Sequence, residues 1–166
     1  MNLATTGSDL RPRSRIVLLK SHSVFGFVFY TNINSLKGNN INENTNVALN
    51  FHWKSLSRQV RIEGVAKLVS NKEADEYYDS RSKVSRIGSW ASSQSSELTN
   101  REELENKVND YQKKFEGKNI PRPNFWSGYR VSPNLIEFWQ EMPFRLHDRV
   151  AFSISEKGWK GRRLYP

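Results

Sequence analysis

The run Ile136-Glu137-Phe138-Trp139-Gln140-Glu141-Met142-Pro143-Phe144-Arg145-Leu146-His147-Asp148-Arg149 sets polar chemistry beside aromatic bulk. Arg145, His147 and Arg149 alternate along it. In an extended chain alternate residues share a face, and these two steps would span about 13 Å. One face would then offer two guanidiniums and an imidazole to a sizeable anion, and the imidazole can accept as well as donate. The neighbours Ile136, Phe138 and Leu146 read as core.

Other constellations are less specific. Tyr77, Arg81 and Ser85 are spaced i, i+4, i+8, which on one helix makes a stripe of phosphate donors. A tyrosine on the core with an arginine at its rim is the favoured reading of the spacing, since fold features outnumber sites. Arg15 and Lys20 bracket an apolar run and, at odd separation, should face opposite sides of a strand. Solvated strand ends account for them too. Lys37-Gly38 is one lysine beside one glycine, not a Walker loop. Gln94-Ser95 lies in a serine-rich run that fits a phosphate contact or a plain polar loop. Trp139 reads as core before it reads as a stacking platform. His22 and His52 have no evident partners. HExxH, GxSxG and paired His/carboxylate metal spacings are absent.

The elements that must position these residues come from one domain of 166 residues, long enough for a real core. The net charge of +9 points to anionic partners, with nucleic acid as the default and phosphorylated small molecules as the competitor. The charge is spread, without a basic block, so a disordered basic tail is not expected. There is no cysteine, which excludes disulfides, thiolate zinc sites and cysteine nucleophiles and suits a reducing cytoplasm. No run approaches the roughly 20 apolar residues of a membrane span. Met1 to Arg15 lacks the apolar core of a secretory signal.

Patterning predicts strands over Arg15–Lys20, Gly26–Thr31, Val47–Trp53, Gln59–Val69, Gly128–Val131, Leu135–Gln140, Arg145–Ser153 and Trp159–Leu164. Gln59–Val69 is the clearest, with Val60, Ile62, Ala66 and Leu68 on one face. Gly64 inside it implies a bulge or a close approach by another segment. Asn32–Asn46 reads as a loop or short helix. Ser70 or Asn71 can cap a helix through Arg81. Thr99 and Glu102 form a capping box for a second helix, with a stripe of Leu104, Val108, Tyr111 and Phe115. Pro121 and Pro123 keep Ile120–Asn124 extended. The expected architecture is mainly β, an antiparallel β-barrel with inserted helices, because closure removes exposed edges.

Several ordered blocks carry a resemblance. They are Met1-Asn2-Leu3-Ala4-Thr5, Arg15-Ile16-Val17-Leu18-Leu19-Lys20, Phe29-Tyr30-Thr31-Asn32, Arg58-Gln59-Val60-Arg61-Ile62-Glu63-Gly64, and Ser85-Arg86-Ile87-Gly88-Ser89-Trp90-Ala91-Ser92 leading to Gln94-Ser95. Pro121-Arg122-Pro123 then leads to Trp126, Gly128, Tyr129 and Arg130, and the opening run closes the series with Arg-Leu-His-Asp-Arg. Over essentially the whole chain the sequence resembles the pyridoxamine phosphate oxidase family, FMN enzymes that make pyridoxal phosphate. The resemblance implies an FMN-binding split barrel, a homodimer with FMN in clefts at the interface, and no metal. It assigns Arg15, Ile16, Val17, Leu18, Leu19, Lys20, Tyr30, Thr31, Lys37, Gln59, Gln94, Ser95, Trp139 and Arg149 to FMN. Lys20, Tyr77, Arg81 and Ser85 would meet the substrate phosphate. Arg145 and His147 would hold the substrate ring as the catalytic pair. The implied reaction oxidises pyridoxamine phosphate or pyridoxine phosphate to pyridoxal phosphate, with dioxygen as acceptor and hydrogen peroxide as product. The flavin carries the hard chemistry, which explains the missing nucleophile and metal motifs.

Two departures stand out. Leu36 occupies a position where the family usually has arginine ahead of the lysine matching Lys37. A lost charged hydrogen bond costs about 1.5–3 kcal/mol, tenfold or more in FMN affinity. Met1 sits where the first barrel strand would begin, so either the true start lies upstream or the domain lacks the usual N-terminal extension; without that extension weaker substrate binding in a wetter site is expected. These departures keep open an alternative, a split-barrel protein that binds FMN or pyridoxal phosphate with weak or no turnover. A nucleic-acid-binding domain, suggested by charge alone, makes no use of the Arg-Leu-His-Asp-Arg run.

Overall fold

Antiparallel pairing dominates the computed structural model, which describes all residues Met1–Pro166. Nine strands run as β1 (Asn2–Thr6), β2 (Pro12–Ile16), β3 (Ser21–Ser23), β4 (Gly26–Asn32), β5 (Asn46–Trp53), β6 (Arg58–Leu68), β7 (Trp126–Gln140), β8 (Asp148–Ser155) and β9 (Gly158–Arg163). Four helices interrupt them: α1 (Leu36–Glu43), α2 (Asn71–Asp79), α3 (Lys83–Ala91) and α4 (Arg101–Lys114). The strand order is β2-β1-β5-β6-β7-β4-β3, with β8 on β7 and β9 on β8. The expected mainly β architecture with inserted helices is present. The sheet is not closed, however: β2 and β3 end the path without pairing to each other.

The chain divides into two compact units. The first comprises Met1–Phe29, Asn40–Lys67 and Arg130–Pro166. Leu3, Val28, Phe29, Ile41, Leu49, Ile62 and Val131 are buried within it. β5 pairs with β6 in regular register through Gly64, from Asn46↔Val65 to Trp53↔Arg58, so no bulge forms there against β5. The glycine serves a close approach instead. A Cβ there would lie 2.3 Å from the Ser132 carbonyl oxygen, so any side chain would push β7 away. Leu68, expected on the inner face, is exposed at the end of β6. Gly128–Val131 and Leu135–Gln140 are one strand rather than two, because Pro133 is accommodated within the 15-residue β7.

The second unit comprises Tyr30–Asn39 and Leu68–Tyr129. Ser70 caps α2 by accepting from the Glu73 N–H, and Asn100, one residue past the expected cap, accepts from the Glu103 N–H to start α4. Phe115, Ile87 and Ile120 form a buried cluster, with Trp90, Val108 and Tyr111 packed on it. The predicted stripe of α4 thus supplies one wall of this core.

Candidate active site

In the second unit, Thr31 is the penultimate residue of β4, Lys37 lies in the first turn of α1, and Gln94 follows α3. The buried Lys37 ammonium donates to Thr31 Oγ1 (3.1 Å), Ser35 Oγ (3.0 Å) and Gln94 Oε1 (2.7 Å). A buried ammonium needs such partners. Thr31 Oγ1 itself donates to Gln94 Oε1 (3.0 Å). Tertiary structure thus joins Thr31, Lys37 and Gln94 across 63 residues. Gly38 keeps the α1 turn tight, since a Cβ there would sit 2.0 Å from the Ile33 carbonyl oxygen. Ser95 next to Gln94 adopts φ 73°, the left-handed region that a non-glycine residue enters at a cost.

The expected stripe of Tyr77, Arg81 and Ser85 on one helix does not form. Ser82 accepts from the Ser85 N–H and starts α3, so α2 stops at Asp79 and Arg81 lies in the turn. Serine side chains compete with the helix backbone in this way. Trp126 gathers the residues instead. Tyr30 stacks on Tyr77 with centroids 3.9 Å apart, and both rings lie nearly parallel to Trp126, at 5.4 and 6.1 Å. The Arg81 guanidinium sits 4.6 Å from the Trp126 centroid and donates through Nη1 to Ser89 Oγ at 2.5 Å. Ser89 Oγ in turn donates to the Ser85 carbonyl. Burial lowers the Arg81 pKa from its ordinary value. Trp126 and Ser89 carry no assignment from spacing. The sequence signal for Ser89 was only its place one helical turn after Ser85.

In the first unit, Arg145, His147 and Arg149 do not share an extended face. Pro143–Arg145 is a 3-10 turn, β8 begins only at Asp148, and Phe144 and Arg145 take φ of 58° and 62°. Pro143 at the head of the turn removes a donor and favours this break. Arg145 is exposed. His147 Nδ1 accepts the Met142 N–H at 3.3 Å, and its ring lies 4.7 Å from that of Trp139. Trp139 pairs directly with Arg149 in the β7–β8 register. Phe138 and Leu146, expected in the core, are 49% and 66% exposed.

A carboxylate organises this region. Glu137 is 5% exposed, and its Oε1 accepts from Arg149 Nε at 2.9 Å while Oε2 accepts from Arg61 Nη1 at 3.2 Å. Gln59 and Arg61 alternate on β6, Glu137 and Trp139 on β7, so these residues and Arg149 share one face of β6-β7-β8. Glu137 raises the Arg149 pKa through its hydrogen bond. Glu137 and Arg61 are functional candidates that spacing did not single out. The available signal was a glutamate between Ile136 and Phe138, a charge that must be paired if buried.

The Arg15–Lys20 segment is only partly a strand. β2 runs Pro12–Ile16 because its partners are Thr6 back to Asn2 on β1. Arg15 turns inward, donating through Nη1 to Thr5 Oγ1 at 2.6 Å. Its burial lowers its pKa, with Arg13 adding to the effect. Ile16 and Leu18 are exposed, Val17 bonds through its N–H to the Met1 carbonyl, and the Lys20 N–H bonds to the Val28 carbonyl. Leu19 is partly buried.

An open antiparallel sheet with helical insertions defines a split-barrel protein. Residues 1–115 match the pyridoxamine 5'-phosphate oxidase family, and residues 126–166 match the pyridoxine 5'-phosphate oxidase C-terminal dimerisation region. The chain belongs to the pyridoxamine 5'-phosphate oxidase family. It is 47% identical to the pyridoxine/pyridoxamine 5'-phosphate oxidase of Zymomonas mobilis, over 100% of this chain and 86% of that protein. PhzG from Burkholderia lata, solved with tetrahydrophenazine-1-carboxylic acid, superposes with TM-score 0.93 at 33% identity, over 99% of this chain and 80% of that one. A pyridoxamine 5'-phosphate oxidase-related, FMN binding protein from Nostoc punctiforme shares the fold, with TM-score 0.78 at 15% identity over 99% and 87%. No helix is long and apolar enough to cross a membrane.

Proposed function

We propose that this chain is an FMN-dependent oxidase of the cytoplasm that converts pyridoxamine 5'-phosphate or pyridoxine 5'-phosphate to pyridoxal 5'-phosphate. Electrons pass to dioxygen and hydrogen peroxide is released. The observation that carries the reading is Arg81, a half-buried cation whose partners are a hydroxyl and ring faces. Its desolvation is compensated when a phosphate arrives, since a charged hydrogen bond is about twice as strong as a neutral one. Near-full-length relatives at about half identity carry the same activity in their names.

The donor set fits FMN. Thr31, Lys37 and Gln94 would bind its phosphate region, joined by Ser95 and Tyr30. Gln59, Trp139 and Arg149 present a polar and aromatic face suited to a flat heterocycle. Arg15 and Lys20, with Ile16 to Leu19 between them, would complete the flavin contacts. FMN, once bound, supplies the two-electron acceptor. Tyr77, Arg81, Ser85 and Lys20 would hold the substrate phosphate, while Arg145 and His147 orient the ring. His147 spends Nδ1 on Met142, which leaves Nε2 as the nitrogen for substrate. Orientation of this kind converts binding into rate.

A homodimer is part of the proposal. The dimerisation-region match covers β7 to β9, where Phe138, Phe152, Ile154 and Trp159 are 37–56% exposed. Apolar patches of this kind mark interaction surfaces.

Anaerobic titration of the FMN-loaded protein tests the reading. Pyridoxine phosphate and pyridoxamine phosphate should bleach the flavin absorbance, and air should restore it. A yellow protein that neither substrate bleaches is a flavin-binding protein without this activity. Bleaching only by tetrahydrophenazine-1-carboxylic acid would transfer the assignment to a phenazine substrate.

A further inference from the structure

We propose that Glu137 is a positioning residue that aims the Arg149 guanidinium at the flavin. The inference rests on the FMN reading above. Three observations carry it.

First, Glu137 is buried near the C-terminal end of β7, and each carboxylate oxygen accepts from a different arginine. Replacing a buried ion pair by apolar residues is often neutral or stabilising. Sheet stability therefore does not by itself call for a carboxylate here. Second, Arg149 is tethered twice. Its Nε donates to Glu137, and its Nη1 donates to the Tyr165 carbonyl at 3.1 Å. A guanidinium is planar, so fixing two nitrogens fixes the direction of the third. Nη2 makes no hydrogen bond within the protein and remains for a ligand. Third, Arg61 shares the carboxylate. Two arginines on one glutamate leave this trio with one net positive charge. Glu137 thus orients Arg149 without cancelling all of the attraction for an electron-rich ligand. Arg61 also reaches Glu63 at 3.4 Å, an exposed contact that solvent screens.

The test is the FMN dissociation constant of apo-protein, read by quenching of flavin fluorescence, with a thermal melt of each variant to establish folding. Glu137→Gln keeps the size and removes the charge. It should weaken FMN binding by about tenfold, in line with loss of a charge-assisted hydrogen bond. In an Arg149→Gln background the same change should add almost nothing, because both act through one guanidinium. A purely structural Glu137 would lower the melting temperature, leave the dissociation constant of the folded variant at the wild-type value, and overturn the proposal. Additive effects in the double variant would overturn it as well. If Glu137→Gln does not fold, removal of Tyr165 and Pro166 decides. Loss of that second tether should weaken FMN a few-fold, about threefold, and an unchanged constant refutes the positioning role. Failure of the wild-type protein to bind FMN overturns the FMN reading itself, and this inference with it.

Discussion

Arg81 and Arg149 are the same side chain used in opposite ways. Arg81, in the second unit, lies against the Trp126 ring and is held by the Ser89 hydroxyl. Burial lowers its pKa. Arg149, in the first unit, is held by the Glu137 carboxylate, which raises its pKa. Arg81 therefore has no carboxylate to offset its charge, as the proposed phosphate contact requires. Arg149 keeps its charge, part of whose field Glu137 offsets, and takes a fixed direction from that bond. The lesson is that the partner of a cation decides whether it offers attraction or alignment.

That contrast can be broken most severely at Arg81. Arg81→Gln should raise the KM for pyridoxine phosphate by roughly 10–150-fold, matching about 1.5–3 kcal/mol for a charged hydrogen bond. FMN affinity should not change. Steady-state kinetics with flavin titration checks this, and an equal loss of FMN binding would erase the distinction between the two cations.

Leu36→Arg addresses the flavin side. Leu36 is 46% exposed at the start of α1, next to Lys37. A second cation there should tighten FMN about tenfold and leave substrate KM unaltered. An unchanged flavin dissociation constant would show that Lys37 and its neighbours suffice.

Ser89→Ala should act more weakly and only on substrate. Losing a neutral-acceptor hydrogen bond of about 0.5–1.5 kcal/mol predicts a KM rise of roughly 2–13-fold. Equal KM values for variant and wild type would mean that the Trp126 ring alone orients Arg81.

The smallest effect lies outside both sites and sets a baseline for exposed ion pairs. Asp9 is held down to about 2 from 3.8 by its hydrogen bond with Arg13. Its folded pKa is depressed, so its contribution is present above about pH 4 and is lost as pH falls through about 2. Asp9→Asn should melt marginally below wild type at pH 6, and the two should converge below pH 2. A difference that persists in acid would point to a packing role for Asp9.

Much of the scaffold was legible because periodicity and capping are local. β4, β5 and β6, the α4 stripe and the Ser70 cap follow from alternation, amphipathicity and side-chain acceptors within a few residues. The errors cluster where local preference competes with contacts far along the chain. Gly128–Val131 and Leu135–Gln140 read as two strands, yet β7 continues through Pro133. The Tyr77–Arg81–Ser85 stripe failed because Ser82 starts a new helix. The alternation of Arg145, His147 and Arg149 failed because Pro143 opens a turn and two residues take positive φ.

By itself the sequence determined the class of the protein, the mainly β architecture and the identity of its cationic donors. Composition, ordered motifs and short-range pattern are properties of the chain, and survive without knowledge of its path. Only the tertiary structure decided which partner each donor keeps. Lys37 meets Gln94, Arg81 meets Trp126 and Ser89, and Arg149 meets Glu137 beside Arg61. Whether a cation offers charge or direction depends on burial and on an acceptor within about 3 Å, and most of those acceptors come from other segments of the chain.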